Sequence, residues 1–181
     1  MDRLGRAVDR LWGSVGPAGP LHARPKFADD LARQCNGKLA LRAPAVSKWP
    51  FGLQLEHLYR SSHYVLDRVE EAMTGDNAKE SMGPWGRALM LFGFIPRGMF
   101  PTIPQLEPTG GTMEIIQPLQ DSLHERLAKL DVSLAQIRAS GGKSRHPRMK
   151  YLTPSQWLIF ADVHHRHHLR ILDDIVREAA G

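Results

Sequence analysis

The sequence predicts an all-α bundle built around one core. Three observations support this fold class: four long segments carry apolar residues at helical spacing, clusters of Gly and Pro separate these segments, and no stretch alternates between apolar and polar residues as a half-buried strand does. With 181 residues, 42% hydrophobic and 24% charged, the chain has the length and composition of one globular domain. A disordered protein, a collagen and a coiled coil are therefore excluded.

The first part of the sequence predicts a short extension in front of the helical domain. Apolar residues of segment 3–12 fall on one stripe, which indicates a short amphipathic helix, and a stretch rich in Gly and Pro follows from Gly13 to Pro25. We therefore expect an extension over residues 1–25 and a single domain over residues 26–181. The domain opens with a predicted helix from Lys26 to about Ala40, because apolar residues recur there at four-residue steps.

The middle of the chain predicts one long helix and a long connection. Pro50 is placed at a first helical position, and the helix it opens is expected to end near Met73, before a turn. From Gly83 to Gly111 the chain holds 11 Gly or Pro residues, which leaves room for only a brief helix at Trp85–Phe92. A loop of this length in a compact domain is typical of a lid or a surface crossover.

Two more helices are predicted in the last third. Pro118 is expected to begin one that stops at Gly141, with a core-facing stripe of residues spaced three or four apart: Leu119, Leu123, Leu127, Leu130, Leu134 and Ile137. The last helix is expected from Pro154 to about Glu178. Its start combines Thr153 as N-cap with Gln156 three residues later, and Leu152 and Trp157 are placed to close over the cap as a hydrophobic staple.

Composition limits the classes of site and the location. The single Cys35 excludes an intrachain disulfide and a thiolate cluster for zinc. The longest apolar stretch is far shorter than a membrane span, and the N-terminus lacks the apolar segment of a signal peptide, so we expect a cytoplasmic protein with no membrane partner. A net charge of +5 favours anionic partners without selecting one.

The histidines predict a metal site. His164 and His168 lie about 40° apart on the last helix and share an apolar face, which is the spacing by which one helix offers two ligands to one ion. His57 lies at the edge of the apolar arc of an earlier helix and is able to face the same core. Three neutral imidazoles leave a fourth position open and suit zinc or nickel, with iron or cobalt less favoured. The alternative is a pair of satisfied or half-exposed histidines without metal.

Other polar residues are predicted around this site. His165 and His167 fall to either side of His164 and suit flanking roles. Residues on the helix of His57 are placed either to contact a ligand or substrate or to pack on the helix surface: Arg60, Ser61 and Tyr64. The remaining histidines are expected to be surface or loop residues: His22, His63, His124 and His146. The basic run over residues 143–150 is interpreted as a solvated loop, with an anion-catching rim as the alternative.

Several of these motifs together resemble the DinB-like proteins, in particular a subgroup of unknown function. The resemblance covers about Trp49 to Val176 and rests on four motifs: Trp49-Pro-Phe-Gly-Leu-Gln-Leu-Glu-His57-Leu58, His146-Pro147, Leu152-Thr-Pro-Ser-Gln-Trp157, and His164-xxx-His168-Leu-Arg170. It implies a four-helix bundle with one long crossover, a divalent metal held by His57, His164 and His168, and frequent homodimers. The chain departs from shorter members by its N-terminal extension and its proline-rich crossover.

These observations leave three classes of function. The leading hypothesis is a metal-dependent enzyme acting on a small molecule, a transferase or a hydrolase, and the resemblance implies a low-molecular-weight thiol as its co-substrate. The second is a metal-binding or structural protein without catalysis. The third and least favoured is a nucleic-acid-binding module, which the net charge and the basic run suggest.

Overall fold

The computed structural model describes residues 37–75, 80–129 and 134–180. The predicted extension over residues 1–25 and its amphipathic helix lie outside this part. So does most of the helix predicted from Lys26; its last residues, 37–40, form a turn, so helix does not reach Ala40. The described residues are mostly helical, which confirms the all-α fold class.

The described residues form five α-helices, one short 3-10 helix and one hairpin, joined by loops. Their bounds, in chain order, are α1 (Phe51–Thr74), α2 (Pro84–Phe92), a short 3-10 helix (Pro104–Leu106), α3 (Met113–Lys129), α4 (Leu134–Ala139), β1 (Ser144–His146), β2 (Lys150–Leu152) and α5 (Pro154–Ala180). Helix α1 packs against both α3 and α5. None of the helices in the described residues is long and apolar enough to cross a membrane.

Helices α1 and α2 lie close to their predicted positions. Pro50 is the N-cap of α1 instead of its first residue, and the helix ends one residue beyond Met73. Helix α2 ends at Gly93, which adopts the left-handed conformation with φ +61° and donates its N–H to the carbonyl of Leu89 at 2.9 Å. The brief helix predicted inside the crossover is therefore present.

The helix predicted from Pro118 differs from the structure at both ends. Helix α3 begins five residues earlier, at Met113, so Pro118 lies inside it. A proline inside a helix lacks an N–H and so costs one helical hydrogen bond. The complete burial of Ile116 offsets this cost and stabilises the additional turn before Pro118. The single predicted helix is also two helices, α3 and α4, and the side chains of Leu130 and Leu134 lie outside the described residues.

A hairpin occupies the basic run that was interpreted as a solvated loop. Strands β1 and β2 are antiparallel, with Ser144 paired to Leu152 and His146 paired to Lys150, the first residue of β2, whose φ is +66°. Arg145 and Lys150 are exposed, whereas Ser144 and His146 are buried. The expectation of no strands is wrong here, because strands of three residues are too short to show alternation.

The start of α5 is confirmed in detail. The Thr153 N–H donates to Gln156 Oε1 at 3.0 Å, and the Gln156 N–H donates to Thr153 Oγ1 at 3.3 Å, which is the reciprocal capping box. Leu152 and Trp157 are both fully buried beside it. The helix continues two residues past Glu178. These contacts set the phase of the helix that carries four of the histidines.

Candidate metal centre

Three histidines from two helices converge in the interior. His57 comes from α1, and His164 and His168 lie one turn apart on α5. Each offers one ring nitrogen, and these nitrogens all lie within 4.8 Å of one another. The ring centroids are 4.4 Å apart for His164 and His168, 4.7 Å for His57 and His168, and 5.5 Å for His57 and His164. We call this group the three-histidine cluster.

The His168 ring is oriented by a side chain of α1. Its Nδ1 lies 2.8 Å from Gln54 Oε1, and an amide oxygen only accepts, so Nδ1 carries the proton and Nε2 presents a lone pair. Gln54 is held in turn, because its amide nitrogen donates to Ser47 Oγ at 2.8 Å. The loop before α1 therefore fixes the tautomer of a histidine on α5.

The His57 ring is oriented by the crossover. Its Nδ1 lies 2.8 Å from the carbonyl oxygen of Leu106, in the 3-10 helix, so Nδ1–H is the donor and Nε2 has the free lone pair. Ser61 Oγ lies 3.3 Å from this Nε2. As with His168, a donor bond on one ring nitrogen aims the other nitrogen into the cluster.

The electrostatics of the cluster favour neutral imidazoles. Burial lowers the pKa of His57, and it holds the pKa values of His164 and His168 well below the usual range, with the neighbouring histidines adding to the effect. The rings are therefore neutral near pH 7, the state that a metal ligand requires.

The geometry of the cluster fits a small divalent ion. The Nε2 atoms of His164 and His168 lie 3.2 Å apart. Two nitrogens at about 2.0 to 2.1 Å from a tetrahedral ion would lie about 3.3 Å from each other. No carboxylate joins this group of candidate ligands in the described residues, and an all-imidazole set suits zinc or nickel better than magnesium or calcium.

A buried carboxylate beside His57 anchors the end of the crossover. Glu56 is fully buried and accepts the backbone N–H groups of Thr109, Gly110 and Gly111 at 2.9, 3.1 and 2.8 Å. Burial by itself raises the pKa of Glu56, but these N–H groups and the Arg60 guanidinium outweigh burial and lower the pKa to about 2. The loop that contributes Leu106 is thus tied to α1 one residue from His57.

The same loop approaches α1 more closely than any side chain would allow. A Cβ placed on Gly52 would lie 2.1 Å from the carbonyl oxygen of Gly111. Gly111 itself has φ +65°, a conformation that favours glycine. Both glycines are therefore required for the loop to reach Glu56.

The three-histidine cluster lies on the wall of a cavity of about 170 Å³. Helix α2 and the crossover supply much of the remaining wall, mostly with apolar side chains: Trp85, Leu89, Ile95, Phe100, Ile103 and Leu106. The hairpin closes another side through His146 and Arg148. No acidic side chain lines the cavity among the residues that the structure describes.

Sequence comparison assigns the family of the chain. The family profile described as DinB superfamily matches residues 21–172, a range that includes all three histidines of the cluster. The chain belongs to the DinB superfamily. No curated protein and no solved structure shows a significant match to it. The resemblance deduced from the motifs is therefore confirmed at the level of the family.

The structure of this DinB-superfamily chain separates the flanking residues into two groups. Ser61, Tyr64 and His167 line the cavity. Arg60 does not; its guanidinium pairs with Glu56 at 2.8 Å and donates to Thr109 Oγ1 at 3.2 Å. His165 faces α1 on another side, where its Nε2 lies 2.8 Å from Ser62 Oγ.

His146 is a cavity residue that the sequence interpretation missed. It is only 9% exposed, whereas a solvated loop position was expected. Its ring packs on Trp157 with centroids 5.0 Å apart and on Phe160 with centroids 4.7 Å apart. No helical spacing links it to the other histidines, and its one sequence signal is the His146-Pro147 motif of the resemblance, to which no place in the site was assigned.

The remaining histidines of this DinB-superfamily protein lie away from the cluster or outside the described residues. His63 is half-buried at the contact with α3, where its Nε2 lies 2.9 Å from the Leu119 carbonyl, so it is less exposed than expected. His124 is half-buried on α3, and His22 lies outside the described residues.

Proposed function

We propose that the protein binds one divalent metal ion, zinc or nickel, through His57, His164 and His168, and that it is a metal-dependent enzyme. The observation that carries the proposal is the convergence of three neutral imidazoles on the wall of a cavity. Three protein ligands leave a further coordination position, which is the arrangement of catalytic sites and not of closed structural ones. The reaction class that this supports is thiol-dependent group transfer or hydrolysis of a small molecule.

Each surrounding residue has a definite part in this site. Gln54 and the Leu106 carbonyl hold the His168 and His57 rings with Nε2 aimed inward. The wall supplied by α2 and the crossover is mostly apolar, and such surroundings strengthen electrostatic interactions at the site. When bound, a divalent ion supplies Lewis acidity at its open position.

The size and the lining of the cavity favour a small-molecule substrate. A volume of about 170 Å³ is of the size that holds a small organic molecule. Membership of the DinB superfamily supports a low-molecular-weight thiol as co-substrate and a homodimer as the assembly, and both belong to this proposal. The nucleic-acid alternative rests on the exposed Arg145, Arg148 and Lys150, and the three-histidine cluster on the cavity wall favours the metal-dependent enzyme over it.

Elemental analysis of untagged protein tests the metal site. We expect about one zinc or nickel per chain after metal add-back, lost in His57→Ala, His164→Ala and His168→Ala. His63→Ala is the matched control, since His63 is on α1 but outside the cluster. Absence of metal from the wild-type protein, or loss of metal in the control alone, would overturn the site.

A second measurement separates the enzyme from a structural metal protein. The metal-loaded protein is assayed for thiol transfer and hydrolysis beside His168→Ala. Turnover that depends on His168 supports the enzyme. Stoichiometric metal with no turnover, together with a large loss of melting temperature on chelation, would favour a non-catalytic metal-binding protein.

A further inference from the structure

His146 gives the cavity a second polar point, separate from the three-histidine cluster. One aromatic ring stands between them: Phe160 lies 4.7 Å from His146 and 5.5 Å from His164, measured between centroids. His146 is more than nine-tenths buried and lines the same cavity. A ligand in the cavity is therefore able to contact the three-histidine cluster at one end and His146 at the other.

The hairpin turn fixes which nitrogen of His146 carries the proton. The backbone N–H groups of Arg148 and Met149 both donate to Nδ1, at 3.1 and 3.2 Å. Nδ1 must therefore offer a lone pair, and the proton of the neutral ring lies on Nε2. Burial, with the nearby Arg148 charge, lowers the pKa of His146 to about 4, so the ring is neutral near pH 7.

The Nε2–H of His146 is a donor that the protein leaves for a ligand. Within the described residues, the only hydrogen bonds of this side chain are the two at Nδ1. Nε2 is not among the described buried side-chain atoms that lack a partner, so it is open to the cavity, where an oxygen of a ligand is able to accept its proton. The position is thus suited to a carbonyl or carboxylate oxygen.

The charge of the cavity lining and the volume of the cavity both favour a small carboxylate as the ligand. No acidic side chain is among the described lining residues, and the exposed Arg148 stands at the wall with its guanidinium 5.4 Å from the Phe100 ring centroid. The cavity of about 170 Å³ compares with an engineered cavity of about 150 Å³ that holds benzene. The rest of the wall is mostly apolar, which matches a hydrocarbon body.

We propose that the cavity takes a small apolar carboxylate whose oxygen accepts the Nε2–H of His146 while its other end lies at the three-histidine cluster. This inference rests on the proposed metal site, and it deepens that function by naming the substrate class. His146 is then a specificity-determining residue. Its Nδ1 shapes the turn, and its Nε2 selects the ligand.

The test compares two matched pairs of probes in the cobalt-loaded, full-length protein. Mercaptobutyrate and mercaptohexanoate carry a thiolate for the metal and a carboxylate for His146, and butanethiol and hexanethiol lack the carboxylate. Binding is followed by the sulfur-to-cobalt charge-transfer absorption. We expect at least one of the acids to bind about tenfold or more tightly than its matched thiol, because a hydrogen bond to a charged acceptor is among the stronger ones.

His146→Asn isolates the donor. The Asn side-chain oxygen replaces Nδ1 as acceptor for the turn, but Nε2–H is removed, so the protein keeps its fold and loses the preference for the acid. Circular dichroism and melting temperature check the fold, and His124→Asn is the control outside the cavity. A preference that persists in His146→Asn, or no preference or no probe binding in the wild type, overturns the inference while the metal site stands.

The experiment also distinguishes failure of the proposed metal site from failure of the carboxylate inference. If cobalt does not bind, or binds without dependence on His164, the proposed function falls and this inference with it. Long-range ¹H–¹⁵N spectra of the metal-free protein check the donor independently. We expect a protonated Nε2 and an unprotonated Nδ1 on His146, and the reverse tautomer would overturn the inference without bearing on the metal.

Discussion

Gln54 on α1 accepts the Nδ1–H of His168 on α5 across 2.8 Å. The two residues are 114 positions apart in sequence, so a residue early in the chain sets the ring orientation of a candidate ligand near its end. Gln54 is itself 5% exposed and bonded to Ser47, which leaves its amide one orientation. Metal affinity is therefore expected to depend on a side chain that does not touch the metal.

Gln54→Leu is expected to weaken metal binding about 10- to 100-fold, the usual cost of removing an orienting partner of a ligating histidine. Gln54→Glu keeps an acceptor for Nδ1–H and is expected to retain most of the affinity. Competition with a chromophoric chelator measures both. Gln117→Leu is the control, since Gln117 is exposed and its side-chain amide donates to Asp121 Oδ1, away from the cluster. Equal affinity in Gln54→Leu and wild type would contradict this orienting role.

Glu56→Gln is expected to lower the free energy of unfolding at pH 7 by roughly 3 kcal/mol, because folding lowers the pKa of Glu56 from 4.5 to about 2. Because the pKa is lowered from 4.5 to about 2, this stabilisation is complete above pH 4.5 and is lost as pH falls toward 2. Denaturant unfolding between pH 7 and pH 3 measures the difference.

The difference between wild type and Glu56→Gln should therefore shrink steadily below pH 4.5. Glu107→Gln is the matched control, because Glu107 is exposed on the same crossover. A constant difference at every pH would show that the carboxylate charge is not what ties the loop to α1.

Gly52→Ala is expected to destabilise the protein by about 1 to 3 kcal/mol or more, as overpacking against a backbone atom does. The new Cβ would lie 2.1 Å from the Gly111 carbonyl oxygen, so the loop must move away from α1. Movement of the loop also displaces Leu106 from His57, and metal affinity should fall with stability. Gly37→Ala, where nothing lies within 4 Å of the new Cβ, should leave both unchanged.

Ser144→Ala is expected to cost about 1 to 3 kcal/mol of unfolding free energy, because the buried Trp157 Nε1–H loses its acceptor. Ser144 Oγ accepts the Trp157 Nε1–H at 2.7 Å and donates to the Arg68 carbonyl at 2.6 Å. Thermal unfolding measures the loss, with the exposed Ser122→Ala as reference. Stability equal to that of the reference would mean that the hairpin is not held through this hydroxyl.

The sequence predicted the parts of the fold and site that depend on local spacing. The capping box of α5 uses residues three apart, and His164 and His168 share a face because they are four apart. Once that phase is known, His57 on an apolar arc of α1 is the natural third member of the cluster. The family was predicted for the same reason, since its motifs are local runs of residues.

The parts that depend on distant partners were not predictable from the sequence. Glu56 reads as a polar residue on a helix, and its role appears only when residues 53 to 55 positions later donate to it. The sequence predicts a helix start at Pro118 because nothing local shows that Ile116 is fully buried. His146-Pro147 is a motif of the resemblance, but the hairpin that brings His146 to the cavity is too short to show its position from residue spacing.

The bond between Ser62 and His165 has a consequence for how α1 and α5 slide on each other. Apolar side chains tolerate small axial shifts, but Ser62 meets His165 at 2.8 Å and Gln54 meets His168 at the same distance, two turns away along α1. A slip of one turn, about 5.4 Å, would break both bonds together. The two hydrogen bonds therefore fix one axial register between α1 and α5. This register places His57 beside His164 and His168.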